Sequence, residues 1–246
     1  MAASINSSPV PSGRELRGQT VVVIGGSSGI GLETARLARA SGANIILTAR
    51  EPDRLHRVGL ELAASIAAFD ATDSRRLGRF FDALPAPVDH VLVTGPGPCY
   101  ALPAEFDLEA ARRDIDAHLL LPLQVARDGA SKIRPRGTML FAGGTGGRRP
   151  SAGLALASAL MAALPALVKS LAHEVAPVRV NLIAAGFADT SDFPWLPGDQ
   201  IGERRMQPHT MLPPDRVAAL AIHLMTNTAI TGATINIAGG QQLTGF

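Results

Sequence analysis

Cysteine is all but missing from this chain. One Cys in 246 residues excludes an internal disulfide framework and fits a reducing compartment, so a cytoplasmic location is expected. An excess of charge is missing too. Lys and Arg number 23 against 21 Asp and Glu, a net charge of +2. That is too weak to predict a nucleic-acid or membrane-surface partner. The first 18 residues, MAASINSSPVPSGRELRG, lack the apolar core of a signal peptide and read as a flexible N-terminal tail. No internal repeat and no linker divides the rest. The one long uncharged stretch, Pro150 to Val168, is mostly Ala with Gly153, Ser158 and Pro165. It is too weakly apolar for a membrane span and reads as a helix packed tightly in the core or at a subunit contact.

What is present is apolar and ordered in pattern. Hydrophobic residues make up 46% of the chain and charged residues 18%, which argues for a folded domain. The length suits one α/β domain, here residues 19–246. Short β-branched runs are expected as strands at Thr20–Ile24, Asn44–Thr48, Ser65–Phe69, Val88–Thr94, Thr138–Phe141, Val178–Ile183 and Thr234–Ile237. Helical patterns lie at Ile30–Ala40, Pro52–Leu62, Asp73–Leu84 and Leu108–Arg127, and the Ala-rich helix falls between the fifth and sixth strands. Near-continuous apolar strands alternating with helices predict a doubly wound parallel sheet of the Rossmann type.

The strongest local signal follows the first strand: Gly25-Gly26-Ser27-Ser28-Gly29-Ile30-Gly31, then a helix. Gly25 permits the tight turn out of the strand. Gly29 lets the backbone approach a pyrophosphate, and Gly31 lets the helix pack close to the sheet. The phosphates would meet free N–H groups at the positive end of the helix dipole. The second strand names the nucleotide. Twenty residues past Gly29 stands Ala49, where an acidic residue would hold the ribose of NAD. Arg50 follows it, and its guanidinium suits a 2′-phosphate. The expected cofactor is NADP(H).

These residues resemble the short-chain dehydrogenase/reductase family over nearly the whole chain. The family's GxxxGxG loop is Gly25, Gly29 and Gly31. Its adenine-side aspartate matches Asp70, followed by Ala71. Its fourth-strand NNAG motif survives in part as Thr94-Gly95-Pro96-Gly97. Its RVN-x3-PG-x3-T segment appears as Arg179-Val180-Asn181, Ala185-Gly186 and Thr190. The resemblance implies a nicotinamide cofactor across the carboxyl ends of the strands, held by Gly25, Ser27, Ser28, Gly29, Ile30, Gly31, Arg50, Asp70, Ala71, Thr94, Gly95, Gly186 and Thr190. It also implies a homodimer or homotetramer with the Ala-rich helix at one contact.

The chemistry implied by that family is an Asn–Ser–Tyr–Lys set, and here it is substituted throughout. Alignment on the neighbouring motifs places Tyr at Ala157, Lys at Met161, Ser at Gly144 and Asn at His118. No shift of register restores them, because the single tyrosine is Tyr100 and the two lysines are Lys132 and Lys169. A positioned acid/base contributes roughly 10²–10⁴-fold to rate, so turnover is weakened rather than excluded.

Three substitutes stand out. His118 offers an imidazole suited to proton transfer near neutrality, or else packs as a hydrogen-bonded histidine. Tyr100 offers a phenol in the loop after the fourth strand, or an aromatic pocket wall. Thr145 offers a hydroxyl beside Gly144, or a turn. Cys99 is read as inert, and Arg148 and Arg149 as anion-holding or merely solvated. Residues 191–214, with Phe193, Trp195, Leu196, Met206 and Met211, match the lid of the resembling family and suggest a small-molecule substrate with an apolar face. The readings that remain open are an NADP(H)-dependent oxidoreductase of divergent mechanism, a silent NADP(H)-binding protein, and a non-redox binder on the same scaffold.

Overall fold

The alternating Val21–Ile24 run sets the plan of the molecule. Val21 and Val23 point into one hydrophobic core, and Val22 and Ile24 into another, as a strand buried on both faces requires. The computed structural model describes residues 15–85, 87–145, 152–186 and 212–240. Its strands are β1 (Thr20–Ile24), β2 (Asn44–Ala49), β3 (Ser65–Ala68), β4 (Val88–Val93), β5 (Ile133–Gly144), β6 (Arg179–Ala185) and β7 (Thr234–Ile237). They form one sheet in the order β3-β2-β1-β4-β5-β6-β7, with every pair parallel. The order reverses between β1 and β4, which opens a crevice at the carboxyl ends of the strands.

Helices cover both faces. On one side lie α1 (Gly29–Ala40), α2 (Pro52–Leu62) and α7 (Pro214–Thr226). They bury Ala35, Ala38, Leu55, Val58, Val217 and Leu224 against Leu47, Leu92 and Ile183. On the other lie α3 (Ser74–Ala83), α4 (Leu108–Ile115), α5 (Leu121–Gly129) and α6 (Ala155–Glu174). They bury Phe81, Val125, Leu160 and Leu164 against Val91, Phe141 and Leu182. Side-chain caps begin two of them. Asp73 accepts the N–H groups of Arg75 and Arg76, and Asp107 accepts that of Glu109, closing donors that a helix start leaves open. α6 is long and apolar enough to cross a bilayer. Its buried residues, Ala157, Leu160, Met161, Leu164, Val168 and Leu171, recur at helical spacing and mark it as a core helix.

A buried guanidinium ties β6 to α7. Arg179 is 5% exposed. It donates to the carbonyls of Leu224, Met225, Asn227, Ile230 and Arg136, and to the Thr138 hydroxyl. Burial lowers its affinity for the proton, and Arg136 adds to this.

The structure departs from the sequence reading in four places. Residues 15–18, grouped there with the tail, belong to the domain: Leu16 is fully buried, and its N–H reaches the Ser41 carbonyl at 3.1 Å. β5 starts earlier, at Ile133, across an irregularity in its pairing with β4. The helix expected over Leu108–Arg127 carries a π turn at Asp116–Leu120 between α4 and α5. α7 was not anticipated.

Candidate functional site

Parallel strands bring distant residues to one edge. Gly25 follows β1, Arg50 follows β2, Asp70 lies two residues past β3, Thr94 follows β4, Thr145 follows β5 and Gly186 follows β6. The cofactor residues inferred from sequence therefore share the carboxyl edge of the sheet, except Thr190, which lies outside the described residues. Arg148, Arg149 and residues 191–211 lie outside them as well.

The glycine loop is shaped by steric necessity. Gly25 has φ +86°, a conformation that favours glycine. Its N–H and that of Gly26 donate to the Thr48 carbonyl at 2.9 and 3.0 Å. A Cβ on Gly25 would stand 2.4 Å from the Thr94 carbonyl oxygen, and one on Gly31 would stand 2.2 Å from the Gly25 carbonyl oxygen. Gly31 thus lets the helix pack closely on the residues that follow β1 and β4. The Thr94 hydroxyl locks the arrangement, donating to the Gly25 carbonyl at 3.1 Å.

The result is an open helix start. Ser28, at the N-cap of α1, is extended and its side chain caps no first-turn N–H, and no acidic residue occupies that turn. Ser27 is buried, Gly29 has φ +51°, and Ile30 packs against the core. Free N–H groups at such a terminus suit an anion. Arg50 is exposed beside this loop, directly after β2. Asp70 is engaged locally: one carboxylate oxygen accepts the N–H and O–H of Thr72 at 2.9 and 2.7 Å. Ala71 packs on the core, Gly95 faces open space, and the Gly186 N–H donates to the Ile237 carbonyl.

The other half of the edge is apolar. Ala157 and Met161 are buried on α6. The Met161 thioether lies over Gly144, whose N–H donates to the sulfur at 2.8 Å. Thr145 is held by its N–H to the Ala185 carbonyl at 3.0 Å. Neither lysine reaches this place. Lys132 precedes β5 at the opposite edge, 3.8 Å from Asp82, and Lys169 is exposed on α6.

Two of the proposed proton carriers meet around a residue that sequence reasoning missed. His118 lies in the π turn, a feature frequent at functional sites. Its Nδ1 is 2.9 Å from the Asp114 carbonyl oxygen, which can only accept, so Nδ1 carries a hydrogen and this bond leaves Nε2 unengaged. Asp114 is buried, and its carboxylate accepts the Cys99 N–H at 2.7 Å. Tyr100, next in sequence, is half-buried. Burial, and secondarily the Asp114 charge, push its phenol up, away from the activation a catalytic acid needs. Burial first and then Asp114 likewise push the Cys99 thiol up, in keeping with its inert reading. The signal for Asp114 was its position four residues before His118, on the same helical face.

Comparison with known proteins gives the family. The family model for enoyl-(acyl carrier protein) reductase matches residues 24–242. The chain belongs to the short-chain dehydrogenase/reductase family. A short-chain dehydrogenase/reductase from Stachybotrys chlorohalonatus, ATR9, is 29% identical over 93% of this chain and 98% of its own length. Protein FixR of Bradyrhizobium diazoefficiens is 32% identical over 92% of this chain and 88% of its own. A short-chain dehydrogenase from Burkholderia cenocepacia, solved in complex with NADP, shares the fold with a TM-score of 0.84. It is 23% identical, with 93% of this chain and 99% of that one covered.

Proposed function

We propose that this protein is an NADP(H)-dependent oxidoreductase acting on a carbonyl or alcohol, with His118 handling the proton in place of the family's tyrosine. The observation that carries the reading is the glycine loop wound around a helix start without a side-chain cap, with Ala49 where an NAD-selective acid would stand and Arg50 next to it. The NADP found in the Burkholderia relative supports it. The first-turn N–H groups of α1, at Gly29, Ile30 and Gly31, hold the pyrophosphate, and Arg50 meets the 2′-phosphate. Asp70 and Ala71 border the adenine, Thr94 and Gly95 the adjoining ribose, and Gly186 and Thr190 the nicotinamide side. When bound, the nicotinamide supplies or accepts the hydride. His118 takes or gives the proton through Nε2, Tyr100 forms a wall, and the Thr145 hydroxyl borders the reacting carbon. The apolar floor of Ala157 and Met161 favours a small substrate with an apolar face.

Fluorescence titration tests the cofactor assignment. A guanidinium hydrogen bond to a charged group contributes about 1.5–3 kcal/mol, so NADPH is expected to bind at least about tenfold more tightly than NADH. Arg50→Ala should erase the preference. Equal affinities that survive the substitution refute the assignment. A carbonyl panel tests the chemistry: His118→Ala should lower turnover by roughly 10²–10⁴-fold, and an unchanged rate removes His118 from the role.

One observation favours a second reading, a catalytically silent NADP(H)-binding protein. The Met161 sulfur and Ala157 stand where an ammonium and a phenol would be expected from the resemblance. NADPH binding without turnover in either direction selects this reading.

The outward side of α6 bears on assembly. Ala155, Ala159, Ala162 and Ala166 are exposed at helical spacing, and Leu120 and Leu123 are exposed nearby on α5 and the π turn. Small side chains let a second helix approach closely. A homodimer or homotetramer built on this face is expected, and light scattering after gel filtration measures it.

A further inference from the structure

We infer that Asp114 is the positioning residue of this site: its side chain fastens the segment carrying Tyr100 to the helix turn carrying His118. This rests on reading the carboxyl edge of the sheet as the reacting site, but its test does not.

Among the described residues, the segment after β4 has few other hydrogen bonds before Ala101, whose N–H reaches the Gly153 carbonyl. The segment runs Gly95-Pro96-Gly97-Pro98-Cys99-Tyr100, and two prolines remove two donors. Between Thr94 and Ala101, the Cys99 N–H is the one amide hydrogen-bonded to a described residue. At 2.7 Å to a carboxylate, the bond is short and charge-assisted. A carboxylate only 8% exposed is stable only where its oxygens find donors.

The same residue acts in the other direction through its backbone. The Asp114 carbonyl accepts the His118 Nδ1 hydrogen, which fixes the ring and leaves Nε2 available. The phenol of Tyr100 in turn folds back on the turn before it, its hydroxyl 3.8 Å from where a Cβ on Gly97 would stand. Asp114 thereby links the two: its carboxylate holds the amide beside Tyr100, and its backbone carbonyl holds the imidazole. The other charges acting on this segment are Arg113 and Asp107, both exposed.

The chain's single tyrosine makes the test direct. Tyrosine labelled with ¹³C at Cζ gives one resonance, which follows the Tyr100 phenol through its titration without cofactor or substrate. In the wild type, the midpoint lies above the ordinary value of about 10. Asp114→Asn keeps an acceptor for the Cys99 N–H and removes the charge. Its midpoint should fall by about half a unit or more. Asp114→Ala removes both, so the Cys99 amide should also exchange at least about tenfold faster with solvent hydrogen. If the phenol titrates unchanged in Asp114→Asn, the Asp114 carboxylate does not lie against it and the inference falls. Unchanged Cys99 exchange in Asp114→Ala overturns it equally. Should the alanine variant fail to fold, the asparagine variant decides alone. A lower thermal midpoint with an unmoved phenol marks a merely structural carboxylate and also refutes the inference. Loss of NADPH binding in the wild type would overturn the proposed function and leave this result standing.

Discussion

The same chemical change at two glycines should shift stability in opposite directions. At Gly31, an added methyl would stand 2.2 Å from the Gly25 carbonyl oxygen and 2.8 Å from the Thr94 hydroxyl. Neither can yield easily. The Gly25 N–H is bonded to Thr48, and the Thr94 hydroxyl is bonded to the Gly25 carbonyl itself. The start of α1 must retreat by about 1 Å, an overpacking that costs about 1–3 kcal/mol. Better helix propensity returns at most about 1 kcal/mol. A net loss of about 1–2 kcal/mol lowers the melting point by roughly 2–8 °C for a domain of this size. At Gly78, in the middle of α3, the nearest atom is an Asp128 carboxylate oxygen at 3.7 Å, an ordinary contact. There, propensity decides, and Gly78→Ala should stabilise by up to about 1 kcal/mol. Urea unfolding and calorimetry on both variants measure the pair. NADPH titration should show weaker binding in Gly31→Ala alone. A Gly31→Ala protein as stable as wild type, or two shifts of one sign, would show that the loop is not wedged as described.

Arg179→Met leaves at least five carbonyls without their buried donor, so it should cost about 3 kcal/mol or more; an unchanged urea midpoint would refute the tie between β6 and α7. Burial, helped by Arg179, holds the His90 imidazole down at about 3, while in the unfolded chain it takes a proton near 6.5. Unfolded His90 therefore binds more protons between those values, and its contribution is complete above about pH 6.5 and lost as pH falls toward 3. His90→Gln should flatten the dependence of unfolding free energy on pH in that window, and an identical slope would count against it. At Gly144, a Cβ would stand 3.3 Å from the Met161 sulfur, so Gly144→Ala and Met161→Ala should cost less together than their sum, by about 0.5 kcal/mol or more in a double-mutant cycle. Strict additivity would mean that the two positions do not share one space.

The strands were legible because the inner ones are buried on both faces, which leaves an apolar run such as NIILT that few other elements explain. β5 was only half legible. Its first residues, IRPRG, hold Pro135 and Gly137, which read as a turn. Yet a Cβ at Gly137 would stand 2.4 Å from the Asp89 carbonyl oxygen, so the glycine marks a close strand approach. α7 carried a start signal, Pro at its first position, hidden behind a stretch crowded with Pro and Gly. The π turn left no trace, because DAHLL suits an α-helix equally well. Register within a helix is set by what packs against it.

The two halves of the site differ in legibility for the same reason that they differ in chemistry. The nucleotide half is built from backbone. Gly25 and Gly31 are dictated by contacts under 3 Å, and such constraints leave a residue type in the sequence that spacing reveals. The reacting half is built from side chains placed by loops. Asp114 matters because a segment fifteen residues earlier returns to it, and spacing along one helix does not encode that return. The substitutions at Gly144, Ala157 and Met161 are likewise more than separate losses. Met161 lies on Gly144, and both share α6 or its neighbour β5 with Ala157. A serine at 144 would press on the sulfur, so regaining the family's hydroxyl requires clearing position 161 as well. Positions 144 and 161 therefore form one packed unit, while the glycine loop has its own steric logic. Nucleotide affinity and turnover are therefore expected to separate: His118→Ala should lower turnover and leave NADPH affinity unchanged, and a parallel loss of both would refute the division.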